Sequence, residues 1–375
     1  MTNPRLPARR RARAGAIALA LVATAALAAC GGDDSSNDAT TAAPATTGAA
    51  TATTASGDAT TAPAGDPAEM TSMTIGYSAW PGWFPLAVAD QAGIFTEVGL
   101  DVDLEYFIDY TASLDALVAG QLDVNAQTLN DTIFAVASGS EQKIVVVGDN
   151  STGNDAVICD DSITSIEDLA GKTVAAEAGV VDHFLLLQGL DSVGLTEDDI
   201  DFQGVKTDAA AAAFAGGEFD CVAVFAPFTL QALEREGSKV LFSSADFPGS
   251  IPDHLVASAD AAADPVAMQK LVNAWYLTLD YIADNPDEAT KIMAEQAQVS
   301  TEEYDSFAEG TTLFDADTAL NAFGDRPDDA TSLPEMARRI NPFLVDSGLT
   351  EQEADLSGLF EPTYTQAYVD NGGPA

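Results

Sequence analysis

The chain has 375 residues, and its hydrophobic share of 47% is enough for a sizeable core, so a disordered chain is excluded. Its 59 acidic residues far outnumber its 15 lysines and arginines, and five of those cations lie within the first thirteen positions. The remaining chain repels nucleic acid and anionic lipid, and we expect neither as a direct partner. Acidity that serves only solubility is the simpler explanation, and it stays open.

The first thirty residues predict an export signal. An arginine-rich start is followed by an apolar run over residues 14–29, which is too short for a membrane-spanning helix. The run ends in Leu27-Ala-Ala-Cys30-Gly31, which resembles a bacterial lipobox. That resemblance implies cleavage after residue 29, acylation of Cys30 and a lipid anchor on the extracytoplasmic face of the cell membrane. An ordinary signal peptide with an incidental cysteine is the alternative.

Residues 30–70 predict a flexible tether. Positions 31–68 use only Gly, Asp, Ser, Asn, Ala, Thr and Pro, which cannot bury much apolar surface. The folded region is predicted to follow this tether.

Strand patterns and helix patterns alternate through the next part of the chain. Strands are predicted at 74–77, 102–107, 122–125, 143–147, 173–176, 200–205 and 220–225, and helices at 85–92, 113–119, 182–193 and 208–215. This alternation predicts parallel-type sheets with helices on both faces, and two successive series predict two α/β lobes.

The last third of the chain changes character and reads as helical. Asp264-Pro265 and Asn285-Pro286 each predict a helix start, since proline suits the first helical position. We expect this part to complete the first lobe, so that the chain crosses between lobes twice. The predicted divisions are residues 71–152 for the first part of lobe 1, 153–246 for lobe 2, 247–345 for the completion of lobe 1 and 346–375 for a C-terminal tail.

Two cysteines follow the tether, Cys159 and Cys221, and both lie in strand patterns. In an oxidising compartment an even pair is a disulfide candidate, and buried free thiols are the alternative.

Several motifs in order resemble one family. They are Ala92-Gly-Ile-Phe95, Leu114-Asp-Ala-Leu-Val-Ala-Gly120, Ser165-Ile-Glu-Asp-Leu-Ala-Gly-Lys172 and Gly217-Glu-Phe-Asp220. They resemble the substrate-binding proteins of nitrate, sulfonate and taurine-type ABC importers, which share a fold with thiamine-precursor binders. The resemblance implies an α/β, two-lobe periplasmic-binding-protein-like fold of type II with a hinge. It also implies a monomer that binds a small solute and works with a permease and ATPase subunits.

The loops resemble most the subgroup found with urea (guanidine) carboxylase regions. The segments that match are Gly76-Tyr-Ser-Ala-Trp-Pro-Gly-Trp83, Gly153-Asn-Asp155 and Glu177-Ala-Gly179. In open α/β sheets, ligands bind beyond the carboxyl ends of strands, where these loops are expected. The predicted ligand-binding residues are Trp80, Trp83, Asp109, Tyr110, Asn130, Asp131, Asp155, Glu177 and Asp182.

Charge favours a cationic or neutral ligand at these loops. No lysine or arginine lies between residues 70 and 142, and one charged hydrogen bond, about 1.5–3 kcal/mol, outweighs a helix dipole. Two alternatives remain: cations are rare throughout this chain, and Asp182 and Asp208 suit helix capping. We expect one of Trp80 and Trp83 to face the ligand, by stacking or cation–π contact. His183 and His254 are expected to be structural.

The sequence therefore predicts an importer's binding protein for guanidinium, a urea-like solute or another small cation or neutral molecule. A binder of a small anion (sulfonate, taurine or nitrate) is one alternative. A thiamine-pyrimidine-precursor binder, or a synthase-like enzyme of the same fold, is another. A lipoprotein that senses a ligand without importing it also stays open. With two histidines and no metal-binding motif, we expect no enzyme activity, no metal and no cofactor.

Overall fold

The computed structural model describes residues 70–374, in which helices flank two β-sheets. The predicted signal peptide, the acylation site Cys30 and the tether up to residue 69 lie outside the described residues. The predicted α/β class is confirmed.

The elements follow the predicted order closely. The strands are β1 (Thr71–Ser78), β2 (Leu100–Phe107), β3 (Val124–Thr128), β4 (Gln142–Ser151), β5 (Asp155–Asp160), β6 (Thr173–Ala176), β7 (Asp201–Gly204), β8 (Cys221–Phe225), β9 (Ser238–Ser243), β10 (Pro252–Ser258) and β11 (Thr311–Leu313). The helices are α1 (Pro85–Gln91), α2 (Ile94–Glu97), α3 (Tyr110–Val118), α4 (Leu129–Ala137), α5 (Val181–Ser192), α6 (Thr207–Ala215), α7 (Phe228–Leu233), α8 (Ala259–Ala262), α9 (Pro265–Asp284), α10 (Pro286–Ala297), α11 (Thr301–Asp305), α12 (Ala316–Phe323), α13 (Leu333–Asp346) and α14 (Thr363–Asn371).

The two sheets are mixed. The first has the strand order β11-β4-β10-β3-β1-β2, and the second has the order β7-β6-β8-β5-β9. Strands β1, β2 and β3 are parallel neighbours, as are β6, β7 and β8. The prediction of parallel-type sheets is wrong for the remaining pairs, because β10 runs antiparallel to β3 and β4, and β5 runs antiparallel to β8 and β9.

Besides the short edge strand β11, which is antiparallel to β4, the reversed strands are the two by which the chain enters each sheet from the other. The chain leaves the first sheet after β4, enters the second at β5, and returns from β9 to β10. The first residue of β5, Asp155, pairs with Phe225 at the end of β8, and Asp253 near the start of β10 pairs with Thr128 at the end of β3. Each entering strand thus begins where its neighbours end. We call the parts built on the two sheets the first and second lobes.

The two crossing segments are hydrogen-bonded to each other. Ser151 Oγ lies 2.7 Å from Ser244 Oγ, which also accepts a hydrogen bond from the backbone N–H of Gly153 at 2.8 Å. This contact joins the two connections between the lobes, where a hinge would act.

The helical last third packs on the first lobe. The side chain of Asp264 caps α9 by accepting from the N–H groups of Val266 and Ala267, both at 3.0 Å, and α9 packs on α1. The predicted C-terminal tail contains α14, whose Tyr368 ring contacts Tyr276 of α9 at 4.9 Å between centroids. Within residues 70–374, no helix combines the length and apolarity needed to cross a membrane.

Candidate ligand-binding site

A small cavity lies where the two lobes meet. Its volume is about 10 Å³, which is the space of about one water molecule. Beside it the lobes are closed on each other, since Lys206 Nζ of the second lobe lies 2.8 Å from Asp109 of the first. The cavity is lined by Trp80, Trp83, Tyr110, Thr128 and Asp253 from the first lobe and by Asp155, Val181 and Phe225 from the second.

Four aromatic rings form a continuous wall of this cavity. The ring of Trp83 lies 6.4 Å from Trp80 and 5.4 Å from Tyr110, and Tyr110 lies 6.2 Å from Phe225 of the second lobe. Both tryptophans line the cavity, and it stays a prediction that one of them faces the ligand. Trp80 Nε1 donates to Asp149 at 3.0 Å, whereas Trp83 Nε1 is buried without a partner among the described residues.

Gly82, between the two tryptophans, allows this loop to lie against a carboxylate. A Cβ atom at position 82 would clash with the carboxyl group of Asp149. Only glycine permits so close an approach of the backbone, and Asp149 is itself held by Trp80. The sequence Trp80-Pro-Gly-Trp83 thus fixes both rings beside an acid.

Five carboxyl groups are buried around the cavity, and all but Asp131 have an oxygen atom without a hydrogen-bond partner among the described residues. Each is at most 3% exposed. In the described part of the chain, none forms an ion pair with lysine or arginine. Several of their oxygen atoms, including both of Asp253 and Oδ2 of Asp155, meet no hydrogen-bond donor there. The five residues are Asp131, Asp149, Asp155, Asp182 and Asp253.

Burial changes the acidity of all five groups. It raises the pKa of Asp131, Asp149 and Asp155 to about 7 each. Burial, with the negative charge of neighbouring carboxylates, raises the pKa of Asp182 and Asp253 well above the usual range. A cation inside the cavity would relieve this cost, because it favours the ionised form.

Asp149, Asp253 and Phe225 are not among the residues predicted from the sequence. Loops that follow strands do not contain the two acids, because Asp149 lies within β4 and Asp253 near the start of β10. An acid inside an otherwise apolar strand was the available signal, since unpaired acids are rarely buried. The same strand-start position explains Asp155, which was predicted from its loop and does line the cavity.

Asn130 and Asp131 lie directly behind the aromatic wall, at the start of α4. Asp131 accepts from Asn130 Nδ2 at 2.8 Å and lies 2.7 Å from Thr128 Oγ1. The hydroxyl of Tyr110 accepts from the backbone N–H of Thr128 at 3.0 Å, which anchors the ring. These side chains support the cavity wall.

Asp109, which is half-exposed, and Glu177, which is buried, lie beside the cavity and contact a cation of the chain itself. Lys206 Nζ lies 2.8 Å from Asp109 of the first lobe and 3.1 Å from Glu177 of the second. Thr111 also donates to Glu177 across the cleft. Neither acid lines the cavity, and Asp109 also caps α3. Asp182 lies deeper, 2.6 Å from the hydroxyl of Thr207, and is not the residue that caps α5.

Both histidines have structural partners. His183 Nδ1 accepts from the N–H of Gly179 at 3.2 Å, and its Nε2 lies 2.7 Å from Glu197. His254 Nε2 lies 2.8 Å from Thr132 Oγ1, and burial lowers the pKa of His254 to about 3. Across residues 70–374, no group of three or more His, Cys, Asp or Glu side chains is arranged to hold a metal ion.

A larger pocket of about 350 Å³ lies beside the two crossings. It is lined by residues such as Val147, Phe314 and Met336 and by no charged side chain. It contains none of the predicted site residues, so the interlobe cavity is the stronger candidate.

The model of the NMT1-like family matches residues 66–297, which is more than half of the chain. This protein is a member of the NMT1-like family.

Relatives of this NMT1-like protein bear the names of binding proteins. A binding protein of Brucella abortus (strain 2308) is 27% identical over 239 residues, which cover 62% of this chain and 73% of the relative. The taurine-binding periplasmic protein of Escherichia coli (strain K12) is 28% identical over 179 residues, which cover 47% of this chain and 54% of that protein. The predicted resemblance to binding proteins of the nitrate, sulfonate and taurine type is confirmed.

Solved structures share the fold of this NMT1-like protein. The periplasmic aliphatic sulphonate-binding protein SsuA of Escherichia coli matches with a TM-score of 0.64 at 20% identity, over 79% of this chain and 99% of that one. The desulfurization enzyme DszB matches with a TM-score of 0.57 at 14% identity, over 80% and 99%. These likenesses concern the fold alone, and they confirm the predicted two-lobe periplasmic-binding-protein fold.

Proposed function

We propose that this protein is the extracytoplasmic substrate-binding component of an ABC importer. We propose further that it captures a small organic cation with N–H groups, such as guanidinium, by closing its two lobes. Family membership supports the importer role. The cationic ligand is supported by one observation above the others: an aromatic-walled cavity surrounded by five buried carboxyl groups, none paired with lysine or arginine in residues 70–374.

Hydrogen bonding favours a ligand that donates. The oxygen atoms without donors, on Asp155 and Asp253 above all, need N–H groups rather than methyl groups. The rings of Trp80, Trp83 and Tyr110 can add cation–π contacts, each about 0.5–2 kcal/mol. A planar cation with several N–H groups satisfies both requirements.

The anion alternative takes support from the name of the taurine-binding relative. In this chain, however, the helix end that would attract an anion already faces a carboxylate. The N–H of Val181, at the start of α5, donates to Asp131 across the cleft and offsets a small part of the rise that burial causes in the pKa of that acid. An anion in the cavity would also lie beside Asp155 and Asp253, and no lysine or arginine lines the cavity.

Both lobes contribute to the cavity, so a ligand held there joins them. Asp253 and three of the rings come from the first lobe, and Asp155 and Phe225 come from the second. A ligand that contacts both sets binds the closed form better than the open form, and it therefore shifts the population towards closure. The closed protein would then deliver the solute to a permease and its ATPase subunits.

Anchoring completes the proposal. Export by the N-terminal signal and acylation of Cys30 would hold the protein, as a monomer, on the outer side of the cell membrane. Detergent partitioning of the wild-type protein and of Cys30→Ala would measure this, and equal partitioning of both would contradict it.

A ligand panel tests the proposed function. We would titrate the purified protein with guanidinium, tetramethylammonium, urea, taurine and nitrate by calorimetry at pH 8, at constant ionic strength. We expect saturable binding of guanidinium, weaker binding of urea, which has the shape without the charge, and no binding of the two anions. Saturable binding of taurine or nitrate without guanidinium would overturn the cationic ligand. Tetramethylammonium binding as tightly as guanidinium would overturn the requirement for N–H groups.

A further inference from the structure

We propose that the empty closed site stores protons on its buried carboxyl groups and releases at least one of them when the cation binds. The inference rests on the proposed function, because the cation is what replaces the proton. In this exchange a carboxyl O–H bond breaks, the proton leaves for solvent, and the carboxylate that remains accepts an N–H group of the cation. No oxidant or other reactant is needed.

The hydroxyl of Thr128 lies between two oxygen atoms, and this arrangement favours a proton on Asp131. Its Oγ1 lies 2.7 Å from Asp131 Oδ2 and 2.8 Å from Asn130 Oδ1. The amide Nδ2 of Asn130 donates to the other oxygen of Asp131 at 2.8 Å, which leaves the amide oxygen facing Thr128. A hydroxyl has one proton, so it cannot donate to both oxygens. Both contacts are hydrogen bonds when Asp131 is protonated and donates to Thr128.

The hydroxyl of Thr207 repeats the arrangement in the second lobe. Its Oγ1 lies 2.6 Å from Asp182 Oδ2 and 2.9 Å from Glu177 Oε2. Glu177 contacts Lys206 and accepts from the backbone N–H of Thr207 at 3.2 Å, so the hydroxyl of Thr207 completes a set of donors around Glu177. Asp182, which has no cation beside it in residues 70–374, is then the group that carries a proton and donates to that hydroxyl.

Asp149 and Asp253 are directly opposed on the neighbouring strands β4 and β10. Asp149 already accepts from Trp80 Nε1, and among the described residues no donor reaches either oxygen of Asp253 if both acids are ionised. A protonated Asp253 can donate to Asp149, and this hydrogen bond adds to the rise in the pKa of Asp253 and offsets part of the rise that burial causes in the pKa of Asp149. One shared proton therefore stabilises the pair in the empty site.

None of the neighbouring titratable groups described below supplies a positive charge to the buried carboxyl groups in place of these protons. The ammonium group of Lys206 stays beside the cavity with Asp109 and Glu177. His254 is buried and its pKa is lowered to about 3, so its ring is neutral. The hydroxyl of Tyr304 donates to the carbonyl of Pro81, and burial raises its pKa. The phenol of Tyr110, whose pKa is raised by burial, is neutral as well.

The affinity for the cation should weaken as pH falls. Burial holds the pKa of Asp131, Asp149 and Asp155 at about 7 in the empty protein. Below that pH the proton competes with the cation, so a one-proton exchange weakens affinity about tenfold per pH unit as pH falls. Above about pH 8 these three groups are ionised before binding, and the dependence that remains comes from Asp182 and Asp253, whose pKa values burial raises well above the usual range.

Two measurements on the whole protein test the exchange. Titration with guanidinium chloride at pH 7, in phosphate, HEPES and Tris buffers of different ionisation enthalpy, gives the number of protons released. We expect between about half a proton and one proton per cation. Carbon-13 NMR of the aspartate carboxyl groups in the empty protein should show some that titrate near pH 7. The surface residue Asp160, whose pKa is lowered by hydrogen bonds from Ser162, serves as the internal reference.

The outcomes separate this inference from the proposed function. Cation binding that releases no protons and keeps one affinity from pH 5.5 to 8.5 would overturn the exchange and leave the cationic ligand intact. Titration of all aspartates in the ordinary acidic range would overturn it as well. Failure of every cation to bind, with carboxyl groups titrating near pH 7, would overturn the ligand and the exchange and retain only the stored protons.

Discussion

The buried acids of the cavity differ sharply from Glu335 on the outer helix α13. Glu335 accepts hydrogen bonds from Arg338 Nη2 and Arg339 Nε, both at 2.9 Å, and those contacts lower its pKa. The five cavity acids are more deeply buried, and their pKa values are raised. Only ten lysines and arginines follow residue 70, and two of them bind the single structural acid Glu335. Scarcity of cations alone therefore does not explain why the cavity acids form no ion pair with them.

Of the variants considered, Asp155→Asn should have the largest effect on the affinity of the cavity for a cation. The amide removes the negative charge that a cation meets in the cavity, and loss of a buried charged contact costs about 2–5 kcal/mol, or at least about thirtyfold in affinity. Calorimetry with guanidinium at pH 8 measures it. The matched control is Asp160→Asn at the other end of β5, which removes a surface charge paired with Arg235 and should leave affinity unchanged. Equal affinity of the wild type and Asp155→Asn would contradict a carboxylate site.

Neutralising Glu335 and Asp253 should move stability in opposite directions. Glu335→Gln removes the acceptor of two arginines, so the melting temperature of the empty protein should fall by a few degrees at pH 7. Asp253→Asn replaces an acid that burial keeps protonated, so the melting temperature should stay equal or rise.

The pH dependence of the stability of Asp253→Asn gives a stricter test of this difference. A group whose folded pKa is raised stabilises the protein below its unfolded pKa and loses that contribution as pH rises through the folded value. The advantage of Asp253→Asn should therefore grow from pH 6 to pH 8.5 in thermal melts. A variant that loses stability over that range would show that Asp253 is ionised in the empty fold.

Lys206→Met should have the smallest effect on binding. The side chains of Lys206 and Asp109 are 46% and 43% exposed, and such a surface pair contributes at most about 1 kcal/mol. The other partner of Lys206, Glu177, is only 4% exposed, but it keeps its hydrogen bonds from Thr111 and Thr207 when the ammonium group is removed. We expect affinity for guanidinium to change by less than about fivefold, and the empty protein to be more open in small-angle scattering. Lys172→Met removes the same charge at the far end of β6 and should change neither. A loss above about tenfold would make Lys206 part of the binding site itself.

Local patterns predicted most of the fold, because capping and hydrophobic periodicity are short-range. Asp264-Pro265 starts α9, and the predicted strand over 173–176 coincides with β6. Strand direction was not predictable in this way, because β5 and β10 are reversed by crossings between lobes. Lys206 was missed for a related reason: its partner Asp109 is 97 residues away. The sequence alone does not distinguish Asp109 and Glu177, which contact Lys206, from the acids around the cavity, because only such long-range contacts differ between them.

The disulfide between Cys159 and Cys221 lies on the same strand pair that carries two cavity residues. Cys159 and Cys221 are directly opposed on β5 and β8, and four residues further along the pair Asp155 is opposed to Phe225. A slip of one residue between these strands would turn Asp155 away from the cavity. The covalent link forbids that slip. In the proposed closure, the acid and the ring of the second lobe would therefore meet the first lobe as one pre-aligned unit.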